Sequence, residues 1–258
     1  MNTITSLSFT YDGTIDGIFS CVFEAFDKKQ FPQQIFKQEV AMLFTQNYHV
    51  VTDEQKANRV IAGLKKRISK SALQMLFICW LSEMEGIEML LFNYICKSFR
   101  SPVSIELNFA DSDVLELSKI YKKVTREAER MRQFVRFQKT ADEFYFAAIN
   151  PLYNVLPMVA DHFEDRFADQ QWVIYDIKRN YALYYNLKKT EMIYIDDIKI
   201  DFQTGKLHRD VLSEDELYFQ VGWRQYLHSI SIKERKNLRQ QRQFMPKRFW
   251  KYLTEKQN

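Results

Sequence analysis

The run Leu117–Val135, LSKIYKKVTREAERMRQFV, and four aromatic-rich segments behind it decide the fold class. Those segments are VRFQK (135–139), EFYFAAIN (143–150), QWVIYDIK (171–178) and YALYYNL (181–187). Val114, Leu117, Tyr121, Val124, Ala128, Met131 and Val135 recur every three or four positions, predicting a helix of about six turns from Asp113. The segments that follow are short and rich in aromatic and β-branched residues, as strands are. Only the few residues around Arg179-Asn180 part the last two, so they predict an antiparallel hairpin. EMIYI (191–195) and KIDFQ (199–203), closed by Thr204-Gly205, predict another. The expected class is α+β: a helical N-terminal part packed with a mostly antiparallel, aromatic-rich sheet.

Upstream, Leu7, Phe9 and Tyr11 alternate with Ser8 and Thr10, which reads as a half-buried strand. Asp12-Gly13 turns the chain, and Thr14 can cap a helix whose apolar face includes Ile18, Phe19 and Val22. IFKQEVAMLF (35–44) fits a strand or a short buried helix. Thr52 with Gln55 forms a capping-box pattern ahead of Ala57, Val60, Ile61, Leu64 and Ile68. Two more helices are expected at Lys70–Leu81 and Glu83–Phe99, the first apolar nearly all round. Ser101-Pro102 then breaks the pattern. The chain is expected to be one family domain over 1–258, with a possible division into 1–110, mainly helical, and 111–258, helix plus sheet. Farther on, Asn154 reads as the cap of a short helix with Pro157 in its first turn and Leu156, Val159, Ala160 and Phe163 on its apolar face. Ser213 with Glu216 reads as a second capping box, opening a helix through Phe219, Trp223, Tyr226, Leu227 and Ile230.

Composition bounds the function classes. Of 258 residues, 46% are hydrophobic and 27% charged, which is globular rather than disordered. Cys21, Cys79 and Cys96 are widely spaced, without CxxC or a nearby His, as reduced buried thiols are. The start, MNTITSLSFTYDG, lacks the basic and apolar regions of a signal peptide. Glu83, Glu85 and Glu88 interrupt the longest apolar stretch, which argues against a membrane span. A cytoplasmic location is the expectation. Net charge is +4, but from Trp223 onward ten Lys/Arg stand against two Glu, a local +8 that leaves −4 for the rest. A basic end on a slightly acidic body suits a polyanionic partner or an acidic protein surface.

Two features could bind phosphate. Lys119, Lys122, Lys123, Arg126 and Arg130 share one face of the long helix, opposite its apolar stripe, with Glu127 and Glu129 diluting the patch. In IKERKNLRQQRQFMPKRFWKYL (232–253), Arg235, Lys236, Arg239, Arg242, Lys247 and Arg248 interleave with Phe244, Phe249 and Trp250. Cations tracking a backbone while aromatics stack on bases is one solution for single-stranded nucleic acid; the aromatics can equally pin a terminal segment to the body. A third feature, Asp161, His162 and Asp165, puts two carboxylates four residues apart beside an imidazole. That arrangement can serve acid–base or metal chemistry, though a structural role for His162 suits the isolated histidine better. His49, His208 and His228 read as surface or capping residues, and Asp196-Asp197 as a turn. No phosphate-cradling glycine loop, GxSxG, HExxH or EF-hand pattern occurs, so no catalytic residue, metal or cofactor is assigned.

FTYDGTIDGIFSCVFEAF (9–26), REAERMRQFVRF (126–137), the run from Phe144 to Tyr185 and the run from Trp223 to Leu253 resemble a bacterial family of DNA-metabolism proteins. The resemblance implies a setting in DNA repair or modification and a partner, a radical SAM protein of DNA modification or repair. Some relatives carry a uracil-DNA glycosylase-like domain at their C-terminal end. This sequence stops at Asn258 and has no three-cysteine cluster motif, so neither activity is expected of it. Three readings follow. The first is an accessory protein for DNA repair that binds DNA and acts with a radical SAM or glycosylase partner. The second is a metal-dependent hydrolase or nuclease using Asp161, His162 and Asp165. The third is a protein adaptor that does not bind nucleic acid.

Overall fold

The computed structural model describes residues 6–37, 45–196 and 198–256. Most of IFKQEVAMLF, and Asp197, fall outside them. Two compact units, Met1–Thr125 and Arg126–Asn258, divide within one long helix.

In the first unit, β1 (Ser6–Thr10) leads into α1 (Ile15–Lys28) and β2 (Gln34–Phe36), with β3 (Thr45–His49) beyond. The three strands form a parallel sheet in the order β2-β1-β3. The expected half-buried strand is therefore a central one: Ser8 and Thr10 are as buried as Phe9. Their hydroxyls avoid the cost of burial by pairing across to β3, Ser8 with Asn47 Oδ1 and Thr10 with His49 Nδ1, each at 3.2 Å. Thr14 caps α1 as its position predicts, its Oγ1 accepting from Gly17 N at 3.0 Å. The cap of α2 (Glu54–Leu64) is Asp53 rather than Thr52: a carboxylate one residue nearer the helix accepts from Lys56 N at 3.0 Å. Next come α3 (Lys70–Trp80) and α4 (Ile87–Arg100), close to their expected spans.

The long helix is α5 (Ser112–Phe134), 23 residues as its periodicity predicts. Asp111 caps it, accepting from Asp113 N at 2.9 Å and Val114 N at 3.3 Å. Its buried side is slightly rotated from the expected stripe. Ile120 and Phe134 are in the core, whereas Tyr121 and Val135 are half-buried.

In the second unit, β4 (Gln138–Lys139), β5 (Tyr145–Ile149), α6 (Leu156–Arg166), β6 (Trp172–Asp176), β7 (Tyr181–Tyr185) and β8 (Thr190–Ile193) follow in turn. The sheet runs β4-β5-β6-β7-β8 and is antiparallel except between β5 and β6, which α6 joins as a crossover. The β6–β7 hairpin is as expected, its turn closed by Asn180 N donating to Asp176 O at 2.9 Å. KIDFQ, by contrast, contributes only a bridge between Ile200 and Leu207. One sheet face carries Phe146, Ala148, Tyr175 and Ala182 packed with Ile200. The register puts Ala147, Trp172, Ile174 and Tyr185 on the other, where Trp172 meets Phe163 of α6 at 6.1 Å between ring centres. Asn154 does not cap α6; its Oδ1 accepts from the Tyr181 hydroxyl at 2.5 Å, and Pro157 opens the helix as expected.

Among the described residues, three α-helices follow: α7 (Glu216–Ile230), α8 (Leu238–Phe244) and α9 (Lys247–Trp250). The second capping box does not form. Glu216 turns away from Ser213 and accepts from Lys139 N on β4 at 2.9 Å. The apolar stripe of α7 is not core: Phe219 is 68% exposed, Tyr226 53% and Ile230 54%. Among the described residues, no helix is long and apolar enough to cross a membrane.

Candidate functional site

The helical spacing on α5 does what it predicts for its polar face. Lys119, Lys122, Lys123 and Arg126 are exposed, and Arg130 is half-buried. Lys119 pairs with Glu116 at 3.4 Å; Lys122, Lys123 and Arg126 form no ion pair among the described residues. Glu127 does not dilute this face. It lies 80° round the helix from Lys119 at about 100° per residue, which turns it inward, and its side chain is 2% exposed.

Around Glu127 the end of the stripe meets the end of the chain. Arg248 binds both carboxylate oxygens, Nη1 to Oε1 at 2.6 Å and Nη2 to Oε2. Leu152 N donates to Oε1 at 3.0 Å, and Arg130 stands 4.0 Å from Oε2. Burial lowers the pKa of Arg130 against the pull of Glu127, and the charges of Arg248 and Arg126 lower it further. Two arginines thus share one carboxylate, with the charge of Arg126 acting on Arg130 as well, so the locus stays cationic.

The tail separates into pins and free charges. Phe249 is buried against Phe134, ring centres 5.2 Å apart, and Arg248 lies over its ring. Trp250 is half-buried and donates from Nε1 to Met245 O at 2.9 Å. Both therefore anchor α9. Phe244 is 65% exposed, and in the same stretch of chain Arg235, Lys236, Arg239, Arg242 and Lys247 are exposed without an ion pair among the described residues. A groove of about 850 Å³ lies between the end of α7 and α8, with Arg235, Lys236, Phe244 and Lys256 on its walls.

The Asp161, His162 and Asp165 triplet lies on α6. Asp161 and Asp165 are exposed, while the His162 ring lies against Phe163 at 5.1 Å. His162 and Asp165 edge a shallow cleft shared with Arg132. No group of three or more His, Cys, Asp or Glu is placed to hold a metal ion among the described residues.

One site escaped the sequence reading. Beneath the first two turns of α7 lies a pocket of about 390 Å³ with Phe137, Tyr145, Phe219 and Trp223 as aromatic walls. Glu216 is buried at its base, Oε2 accepting from Lys139 N at 2.9 Å and Oε1 from Gln220 Nε2 at 2.9 Å. Its cations are engaged: Arg136 pairs with Glu255 at 2.8 Å and Lys139 with Glu143. Trp223 donates from Nε1 to Glu255 Oε2 at 3.3 Å. The signal was present, since Phe219 and Trp223 stand four apart on α7, but the same spacing marks a core helix.

Among solved structures the chain is similar to a pGpG-specific phosphodiesterase, PggH from Vibrio cholrae. The identity is 9% and the TM-score 0.28, over 88% of this chain and 100% of that one. No curated protein matches. Residues 85–255, covering α4 to the final turn of the described chain, match the family described as a domain of unknown function, DUF4130, and the chain belongs to that family.

Proposed function

We propose that this protein is a nucleic-acid-binding accessory protein of DNA repair or DNA metabolism, which positions DNA for a separate enzyme of the radical SAM or glycosylase-like class. One observation carries the reading. Between Arg235 and Lys247 in the chain, five cations stand in solvent without carboxylate partners among the described residues, and two of them, Arg235 and Lys236, line a groove of about 850 Å³ with exposed Phe244. Surface cations are ordinarily interspersed with carboxylates, and an uncompensated cluster flanking an exposed aromatic is what phosphate tracking with base stacking needs. Arg126 and Arg130 add charge in the same unit.

The test is fluorescence anisotropy of labelled DNA oligonucleotides across a salt series. Contacts from five cations to a single strand give a log–log slope near −3.5, from about −0.7 per neutralised phosphate. Arg239→Glu with Arg242→Glu should flatten that slope and weaken binding. Failure to bind at low salt, together with co-purification of an enzyme partner, would leave the adaptor reading instead.

A further inference from the structure

We propose that the pocket beneath α7 receives one unstacked nucleobase of a bound single strand. This rests on the nucleic-acid reading above and adds to it what the protein reads.

The pocket's chemistry selects a flat, neutral, hydrogen-bonding ligand. At about 390 Å³ it falls in the size range of small-molecule sites, roughly 300–1,000 Å³. Its walls are rings, and every base has a face to stack on them. Phe137 is a fixed wall, held against Phe163, Phe167 and Trp172 with ring centres 5.3–6.4 Å away. Phe219 is the adjustable one, 68% exposed on the helix above. Polar groups are few and oriented. Glu216 engages the Gln220 carboxamide by its Nε2, which leaves the carbonyl oxygen as the acceptor Gln220 can offer, and Thr254 on the lining carries a hydroxyl.

An anion is a poor occupant. Arg136 and Lys139 are already neutralised by Glu255 and Glu143, and the buried Glu216 carboxylate repels negative charge. The phosphates belong instead on the unpaired cations of α8. Helix α7 joins the two places: Trp223 at the pocket stacks on Tyr226 one turn on, centres 5.9 Å apart, and the helix then reaches His228 and, just past its end, Ser231 on the groove wall. A strand in the groove can therefore turn a base toward Trp223. A duplex can do so only by flipping a base out, which costs a few kcal/mol of lost stacking and pairing, so the single strand is favoured.

The experiment compares the intact chain with Phe219→Ala and Phe219→Trp, using a fluorescein-labelled single strand of about 15 nucleotides and the matching duplex. Phe219 is mostly in solvent, so neither variant empties the core, and circular dichroism checks the fold. Phe219→Ala should weaken single-strand binding about 10-fold, within the worth of one base stack, and leave duplex binding unchanged. Phe219→Trp should restore it. Single-strand binding that is indifferent to Phe219→Ala overturns the pocket and leaves the nucleic-acid reading standing. No binding to either oligonucleotide at low salt overturns both.

Discussion

Arg248 grips the buried carboxylate of Glu127 through both guanidinium nitrogens, across 121 residues of chain. The pair ties the C-terminal turn to α5, and the Leu152 amide completes the carboxylate's partners. Removing one member of a buried pair strands the other, at about 3–5 kcal/mol. Arg248 is 30% exposed and can turn to water, which reduces the figure to about 2–3 kcal/mol. Glu127→Ala, which strands Arg248, should lower the urea midpoint accordingly, and Arg248→Ala, which strands the buried Glu127, should lower it further. Arg239→Glu with Arg242→Glu, on exposed positions, should move stability by no more than about 0.5 kcal/mol. Equal losses from both pairs would show that the tail has no division between anchor and free charge.

Glu255 gives a pH dependence of defined sign. Burial raises its pKa, but hydrogen bonds from Arg136 and the Trp223 indole, with the Arg136 charge, carry it below the ordinary carboxylate value. A lowered folded-state pKa means stability that is present above the unfolded value, about 4.3, and lost as pH falls through the folded one. Glu255→Gln should therefore be less stable than the parent at pH 7, with the gap closing below pH 4. A gap that is constant with pH would remove ionisation from the account.

How far the sequence could be read depended on how local each determinant was. The α5 stripe and the β6–β7 hairpin rest on neighbours within one helix or turn, and both were legible. The parallel sheet of the first unit was not, because Ser8 and Thr10 look solvent-facing until Asn47 and His49 are placed beside them. Glu127 failed in the same way. Its charge suggested a diluted basic face, and the partners that make its burial tolerable, Arg248 and the Leu152 amide, lie far along the chain. Periodicity, finally, cannot tell a core stripe from a pocket lining, and α7 has the second.

Two glycines should respond oppositely to alanine. Gly205 sits at φ +70°, and a Cβ there would lie 2.8 Å from the Tyr252 ring and 3.0 Å from Ala148 Cβ. Strain and overpacking together cost roughly 1–3 kcal/mol, so Gly205→Ala should lower the melting temperature. Gly222, inside α7, has nothing within 4 Å of its added Cβ. Gly222→Ala should stabilise by about 0.5–1 kcal/mol, because alanine gives up less backbone entropy in a helix. Thermal melts of the two variants decide this, and a destabilising Gly222→Ala would count against α7 as a regular exposed helix.

Cys21, Cys79 and Cys96 all lie in the first unit and are buried. Burial pushes each thiol up to about 12, helped for Cys21 by the charges of Asp12 and Glu24 and opposed for Cys79 by a backbone hydrogen bond. At pH 8 almost none is thiolate, and none is open to a reagent, so reaction must wait for the surrounding structure to open. With an aromatic disulfide reagent, native protein should show essentially no reaction, and all three thiols should react in urea. Because the cysteines are confined to residues 1–125, their reaction rate across a urea series reports opening of that unit, while in a Trp80→Phe background the fluorescence of Trp172, Trp223 and Trp250 reports the other. Coincident transitions would mean that the units unfold together. Thiol reaction well ahead of the tryptophan change would mean that the first opens alone, and rapid labelling in native buffer would contradict the burial itself.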